Sequence, residues 1–188
     1  RDFPVYWPAR ETIPGMTHPL VEGDTIQPAG EDMNLTVMEV PGHTLGHIAF
    51  HEAGLGWLFC GDTLFAGGCG RLFEGTPEQM HDSLQRLASL PAKTLGFCTH
   101  EYTLANLTFA AAVTPDDDAV IERLETVRQA REAGQITLPS TLEEETRSNP
   151  FLRAHEPALK HACEAREAGT AGSDMQCFAA LRRWKDNF

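Results

Sequence analysis

Three short stretches of this chain put metal-binding residue types where apolar runs stop. They are Pro41-Gly42-His43-Thr44-Leu45-Gly46-His47, then Phe59-Cys60-Gly61-Asp62-Thr63-Leu64-Phe65, then Thr99-His100-Glu101-Tyr102 after the run Leu95–Cys98. Neutral imidazole and carboxylate are donors that borderline divalent cations prefer, so His43, Asp62 and His100 read as metal ligands. Taken singly, each His is ambiguous, because a His before a turn is more often a hydrogen-bonded structural residue. The ordered set, with every member at a strand end, carries the reading. His47 is expected to play a supporting or structural part. His51, His81, His155 and His161 lack partner spacing and are expected at the surface, and His18 stands alone between Thr17 and Pro19. Nothing in residues 1–40 reads as completing a metal site.

Such ligands need strands to end in one place. Residues 35–40 alternate and are β-rich up to Pro41-Gly42. Ile48–Glu52 and residues 56–60 flank Ala53-Gly54-Leu55, which predicts an antiparallel hairpin. Residues 61–75 hold Gly61, Gly67, Gly68, Gly70 and Gly75 and predict a loop rather than a strand. Thr76-Pro77-Glu78-Gln79 then opens a helix with an N-cap, a proline at the first position and a capping-box Gln. Met80, Leu84, Leu87 and Leu90 share its apolar face until Pro91. Residues 95–98 are the last predicted strand.

From Tyr102 the pattern turns helical. Residues 104–113 are apolar, and residues 119–133 follow acids that suit a helix N-terminus and stop at Gly134. Ser140-Thr-Leu-Glu143 and Ser173-Asp-Met-Gln176 read as further capping boxes, the last opening a terminal helix with Phe178, Leu181 and Trp184 inward. The acids at 116–118 and 143–145 are expected to be solvated helix starts. The organisation is therefore a β-rich part over residues 1–101 and a helical part over residues 102–188.

Composition sets the outer bounds. With 188 residues, 41% hydrophobic and 22% charged, the chain has the make-up of an ordinary globular protein. A net charge of −12 argues against nucleic acid as the main partner. No apolar run approaches the ~18 residues that suggest a membrane span, and Arg1-Asp2-Phe3-Pro4 lacks a signal-peptide pattern. Cys60, Cys69, Cys98, Cys163 and Cys177 are odd in number and lack C-x-x-C spacing, which points to buried thiols in a reducing cytoplasm. Cys69 lies near Asp62, but the small-hydrophobe reading outweighs a ligand role. Arg182, Arg183 and Lys185 gather three of the chain's 15 Lys and Arg near its end, where an anionic ligand would need them.

The ordered set P-G-H-T-x-G-H, G-D-T-L-F and T-H-E-Y resembles the metallo-β-lactamase superfamily. Within it the chain is similar to the hydroxyacylglutathione hydrolases (glyoxalase II). The resemblance also rests on Phe65-Ala-Gly-Gly-Cys-Gly-Arg-Leu-Phe-Glu-Gly75, Cys98-Thr-His-Glu-Tyr-Thr-Leu-Ala-Asn106, Leu138-Pro-Ser-Thr-Leu142, Asn149-Pro-Phe-Leu-Arg153 and Leu181-Arg-Arg-Trp-Lys-Asp-Asn-Phe188. It implies an α/β fold, the C-terminal half of an αββα sandwich followed by a small all-helical substrate-binding domain. It implies two divalent metal ions, zinc first, with iron or manganese as alternatives. His43 would bind one, His100 the other, and Asp62 would bridge both, as a two-oxygen carboxylate can across ~3.5–4 Å. A metal-bridging hydroxide would be the nucleophile. The glutathione thioester would be held by Arg71, Phe73, Tyr102, Arg182 and Lys185. The implied reaction hydrolyses an S-(2-hydroxyacyl)glutathione, chiefly the lactoyl thioester, in methylglyoxal detoxification, by a monomer that binds neither nucleic acid nor membrane.

A T-H-x-H-x-D-H stretch is the superfamily's strongest signature, and this sequence does not contain it. The β-rich part is therefore expected to be incomplete at its N-terminal side, with too few ligands for both cations and little activity in isolation. Two alternatives stand beside the thioesterase: a non-catalytic remnant that binds a glutathione conjugate, and a mononuclear-iron persulfide dioxygenase with the same His–Asp–His order.

Overall fold

A computed structural model describes residues 3–28 and 30–188. The chain opens with three short strands that the sequence patterning does not reveal: β1 (Tyr6–Pro8), β2 (His18–Leu20) and β3 (Thr25–Ile26). Next come β4 (Leu35–Glu39), β5 (Ile48–Glu52) and β6 (Trp57–Gly61). The glycine-rich stretch is not a plain loop. It holds a small antiparallel hairpin, β7 (Leu64–Phe65) and β8 (Gly68–Cys69), turned by Ala66 and Gly67, the latter at φ 70°. Glycine supplies that left-handed turn conformation without a steric cost, so a glycine count alone cannot tell a hairpin from a loop.

Helix α1 (Pro77–Ala88) follows and carries the expected Thr76–Gln79 capping box. After β9 (Leu95–Cys98) come α2 (Thr103–Val113) and α3 (Asp118–Glu132), then β10 (Ser140–Thr141), α4 (Leu142–Ser148), α5 (Pro157–Arg166) and α6 (Asp174–Asp186). Two sequence expectations shift here. The capping box of α4 is formed by Thr141 and Glu144, one residue later than Ser140-to-Glu143, and both Ser140 and Thr141 pair with β9. That pairing also makes β10, not β9, the last strand.

One mixed sheet organises the molecule, with strand order β10-β9-β6-β5-β4-β3. The β6 and β9 pair is parallel and every other pair in the sheet is antiparallel. Strands β4, β6 and β9 therefore run in the same direction and finish at the same end of the sheet. The three sequence stretches singled out above begin at those three strand ends.

The two faces of the sheet differ. Ala49, Leu58 and Cys60 are buried on the face that meets the helices. Phe50, Phe59 and Phe97 pair across strands on the opposite face, where they are only half-buried, and the Phe59 and Phe97 rings stack at 5.3 Å. Met80, Leu84 and Leu87 of α1 are fully buried, each contributing about 1.5–3 kcal/mol relative to exposure. They join one continuous core with Phe109, Phe151, Phe178 and Leu181, so the helical stretch shares the core of the sheet.

Two surface expectations fail. His51 is half-buried in β5 with its Nε2 enclosed and unpartnered, and His81 packs edge-on against Phe178 at 5.5 Å. Strand and helix periodicity put both rings beside the core, a placement that isolated His residues cannot announce in sequence. Glu145 departs further from the solvated role expected of it. It is 2% exposed and accepts hydrogen bonds from Arg123 Nη2 (2.6 Å), Asn149 Nδ2 (2.9 Å), the Gly67 N–H (2.8 Å) and the Ser140 hydroxyl. A helical residue thus clamps the β7–β8 turn. Asp117, by contrast, is a cap, accepting from the Ala119 and Val120 N–H groups, and it pairs with Arg153 at 2.6 Å.

Candidate functional site

The turn after β4 is tightly built. Gly42 adopts φ 154°, and a Cβ there would lie 2.8 Å from the Met80 Cβ, so glycine lets the turn rest on α1. From this turn His43 reaches back across the β8 exit, and its Nδ1–H donates to the Arg71 carbonyl at 2.9 Å. A carbonyl can only accept, which fixes the tautomer and leaves the Nε2 lone pair free. That Nε2 lies 4.0 Å from Asp62 Oδ2.

Asp62 follows Gly61, whose φ of 54° is a conformation that glycine adopts freely. A Cβ at Gly61 would also sit 2.5 Å from His47 Nε2. That nitrogen accepts the Asp62 backbone N–H at 3.0 Å, so His47 serves the backbone beneath the carboxylate rather than the space above it. Burial, and then the neighbouring His43, lower the His47 pKa, which agrees with a neutral acceptor. The Thr99 hydroxyl donates to Asp62 Oδ1 at 2.8 Å and restrains the carboxylate's rotation. His100 comes from the end of β9, beside β6, and its Nε2 lies 3.5 Å from the same oxygen. Its ring stacks on Tyr102 with centroids 5.1 Å apart. The Asp62 carboxylate is thus flanked by two imidazoles, one per oxygen.

This donor set fits a pair of cations in kind: two imidazole nitrogens and a carboxylate able to face both. It does not fit in number. Among the described residues no three His, Cys, Asp or Glu side chains stand close enough together to hold a metal ion, whereas such sites use about four donors per ion. Cys69 adds nothing, since burial raises its thiol pKa and its Sγ already meets Arg182 Nη1 at 3.6 Å.

A cavity of about 710 Å³ opens over these groups. It brings together all eight residues expected from the sequence: His43, Asp62 and His100 with Arg71, Phe73 and Tyr102, and Arg182 and Lys185 from α6. The last five are not alike. Arg71 and Phe73 are largely exposed, with Phe73 packed on the His43 ring at 4.9 Å, and Tyr102 is half-exposed. Lys185 Nζ donates to the Ala105 carbonyl at 3.1 Å and lies 5.5 Å from the Phe188 ring centroid. Burial, and then the Arg182 and Arg71 charges, lower its pKa. Arg182 is only 5% exposed, and its guanidinium donates to the Cys69 carbonyl at 3.0 Å and to Asp186 Oδ1 at 2.9 Å.

The sequence reading missed Phe65, Asn106, Asp186 and Phe188, which also line the cavity. Asp186, one residue beyond Lys185, could have been found as the only carboxylate within the terminal cationic stretch. Asn106 and Phe188 carry no local mark. Residues 1–40 also touch the site's support, since Glu11 Oε1 accepts the Gly46 N–H at 3.1 Å in the turn between His43 and His47.

Comparison with known proteins gives two family matches. Residues 3–100 match the metallo-beta-lactamase superfamily, and residues 101–188 match the hydroxyacylglutathione hydrolase C-terminus. Among curated relatives, a hydroxyacylglutathione hydrolase of Nitrosomonas europaea is 52% identical over 188 residues, covering 100% of this chain and 71% of that protein. One from Pseudomonas fluorescens is 54% identical over 184 residues, covering 98% and 71%. Among solved structures, ETHE1 from Myxococcus xanthus shares the fold with a TM-score of 0.60 at 21% identity, over 95% of this chain and 56% of that one. TTHA1623, crystallised in a di-iron-bound form, matches with a TM-score of 0.50 at 28% identity, over 80% and 66%.

Proposed function

The chain belongs to the hydroxyacylglutathione hydrolases of the metallo-β-lactamase superfamily, and we propose that it cleaves S-lactoylglutathione to glutathione and lactate with two divalent cations for which His43, Asp62 and His100 supply part of the donor set. One observation carries this reading. The imidazole–carboxylate–imidazole cluster opens into the same cavity as the Arg71 and Lys185 cations, so a thioester can lie at the cluster while its anionic tail reaches the cations. His43 and His100, with Asp62, would be among the residues that hold the cations. When bound, the cations supply nucleophile activation and charge stabilisation at the carbonyl. The di-iron-bound form of TTHA1623 supports a two-cation occupancy, and zinc is our assignment on donor type, with iron and manganese as alternatives.

The protein's own groups do the rest. Arg71 and Lys185 attract the glycine carboxylate of glutathione, Arg182 backs them, and Phe73 and Tyr102 flank the acyl end. Phe65, Tyr102 and Phe188 form apolar walls that exclude water and strengthen the charge contacts. The departing thiolate has a solution pKa of about 8.5, so it leaves with little protonation, in line with a cavity whose one carboxylate besides Asp62, among the described residues, is Asp186, paired with Arg71 and Arg182. Residues 1–101 would supply the metal ligands and residues 102–188 most of the substrate contacts, in a cytoplasmic monomer that removes a methylglyoxal-derived thioester.

Thiol release from S-lactoylglutathione, followed with a chromogenic disulfide, tests the proposal. Low turnover, limited by the small donor set, that rises with added zinc, iron or manganese and is abolished by Asp62→Asn is the expected result. Tight binding of the thioester with no release under any of these cations would overturn hydrolysis and leave a binding protein.

A further inference from the structure

The two imidazoles beside Asp62 are held in different ways. His43 is oriented by a hydrogen bond, its Nδ1–H donating to the Arg71 carbonyl at 2.9 Å. His100 has a side chain 51% exposed, and among the described residues no hydrogen bond reaches its Nδ1. The Cys98 thiol donates to the His100 carbonyl at 3.3 Å, a backbone contact that leaves the ring free to turn. What restrains the ring is aromatic. Tyr102 stacks on it with centroids 5.1 Å apart and planes 19° apart, and Phe65 meets it at 6.1 Å and 51°. Phe65 and Tyr102 also meet edge-on at 5.4 Å, so the three rings form a closed set. All three separations fall within the range of about 4.5–7 Å at which aromatic pairs attract.

Within this set Phe65 is the fixed member. Tyr102 is half-exposed and Phe65 is 5% exposed. The backbone that carries Phe65 is gripped by three buried side chains of the helical part. Asn149 Nδ2 donates to the Phe65 carbonyl at 3.3 Å and to the Gly68 carbonyl at 2.9 Å. Asn106 Nδ2 donates to the Ala66 carbonyl at 3.1 Å, and the Gly67 N–H donates to Glu145 at 2.8 Å. A Cβ at Gly68 would lie 2.6 Å from the Asn106 amide carbon, so the hairpin is pressed directly against α2. The β7–β8 hairpin is therefore a rigid mount, and the ring it holds rests against the imidazole that lacks a hydrogen bond of its own.

We infer that Phe65 is a positioning residue for His100, fixing the plane of its ring against Asp62 by aromatic contact and with the help of Tyr102. It does for His100 what the Arg71 carbonyl does for His43. A flat ring face sets the tilt of its neighbour, and a leucine of similar apolar character fills space without doing so. The inference rests on the proposed role of His100 as a ligand, but its core, the dependence of the His100 ring on Phe65, is measurable in the metal-free chain.

The test compares Phe65→Leu, which removes the ring, with Phe65→Tyr, which keeps it. In metal-free protein with labelled His and Tyr, the nuclear Overhauser contact between the His100 and Tyr102 rings should be clear in the wild type and in Phe65→Tyr and largely lost in Phe65→Leu. In chelator competition, zinc binding should weaken about tenfold in Phe65→Leu, the usual size of effect when the support of a ligand is removed, and recover in Phe65→Tyr. In a His100→Ala background, Phe65→Leu should bring no further loss, because a residue that acts through another has nothing left to act on. An unchanged ring contact and zinc affinity in Phe65→Leu would overturn the inference. The full tenfold loss persisting without His100 would make Phe65 a general brace of the hairpin and also overturn it. A chain that binds no zinc but loses the ring contact in Phe65→Leu would uphold the coupling of the two rings and fail the metal reading alone.

Discussion

His47 Nε2 accepts the backbone N–H of Asp62 at 3.0 Å, with Gly61 held at φ 54° directly beneath the ring. The ring fixes the peptide from which the Asp62 carboxylate projects, and glycine at position 61 leaves room for it. His47→Ala leaves that N–H half-buried and unpaired, which costs about 1–3 kcal/mol. The expected outcome is a loss of metal affinity together with a fall in kcat, at nearly unchanged KM. Dialysis against a metal buffer and steady-state kinetics check it, and an unaltered metal affinity would remove His47 from the site's support. Gly61→Ala should be at least as damaging, through both the clash at 2.5 Å and the strained backbone.

Asp62 stands between two imidazole nitrogens, 4.0 Å from one and 3.5 Å from the other. Asp62→Asn removes the charge that would balance the cations while keeping the shape, and metal content measured by atomic emission should fall with activity. Retained turnover at normal metal content would exclude a bridging role. Chelation of the wild-type protein should reproduce the Asn phenotype, and added zinc should reverse only the former.

As proposed, Arg71 and Lys185 would act on a part of the substrate remote from the thioester and so would bind ground and transition states about equally. Arg71→Ala or Lys185→Ala should raise KM about five- to tenfold, equivalent to ~1–1.4 kcal/mol, with kcat held. The effect should shrink at high salt and disappear for a thioester without the glycine carboxylate. Equal penalties on both substrates would mean that these cations only support the fold.

Glu145 and Arg123 form a buried pair with side chains 3% and 11% exposed. Glu145→Ala strands the Arg123 charge and takes the acceptor from the Gly67 N–H and the Ser140 hydroxyl, an expected loss of about 3–5 kcal/mol in denaturant unfolding. Glu145→Gln keeps part of the network and should lie between. Because the same carboxylate holds the β7–β8 turn through Gly67, residual folded Glu145→Gln should also bind metal more weakly. A loss below 1 kcal/mol for the Ala variant would show that the network is redundant.

The chemistry of the cluster was written locally. His43, Asp62 and His100 each follow an apolar run, and a short-range pattern of that kind survives in sequence because one turn produces it. Thr76 and Ser173 as helix caps, and Met80, Leu84 and Leu87 as a buried stripe, were legible for the same reason: capping and periodicity involve neighbours three or four residues apart. What brought the three side chains together was not local. It depended on β4, β6 and β9 running the same way, a property of pairing between strands far apart in the chain. The same limit hid Glu145, which reads as one acid in a solvated run until α4 turns it inward onto Arg123 and Gly67. It hid the division of labour on α6 as well. Arg182 and Lys185 look equivalent at three residues' spacing and both line the cavity, yet packing buries the Arg182 guanidinium against Cys69 and Phe151. Burial, and with it the energy of every charge contact, is decided by what folds on top, and that is set only by the tertiary structure.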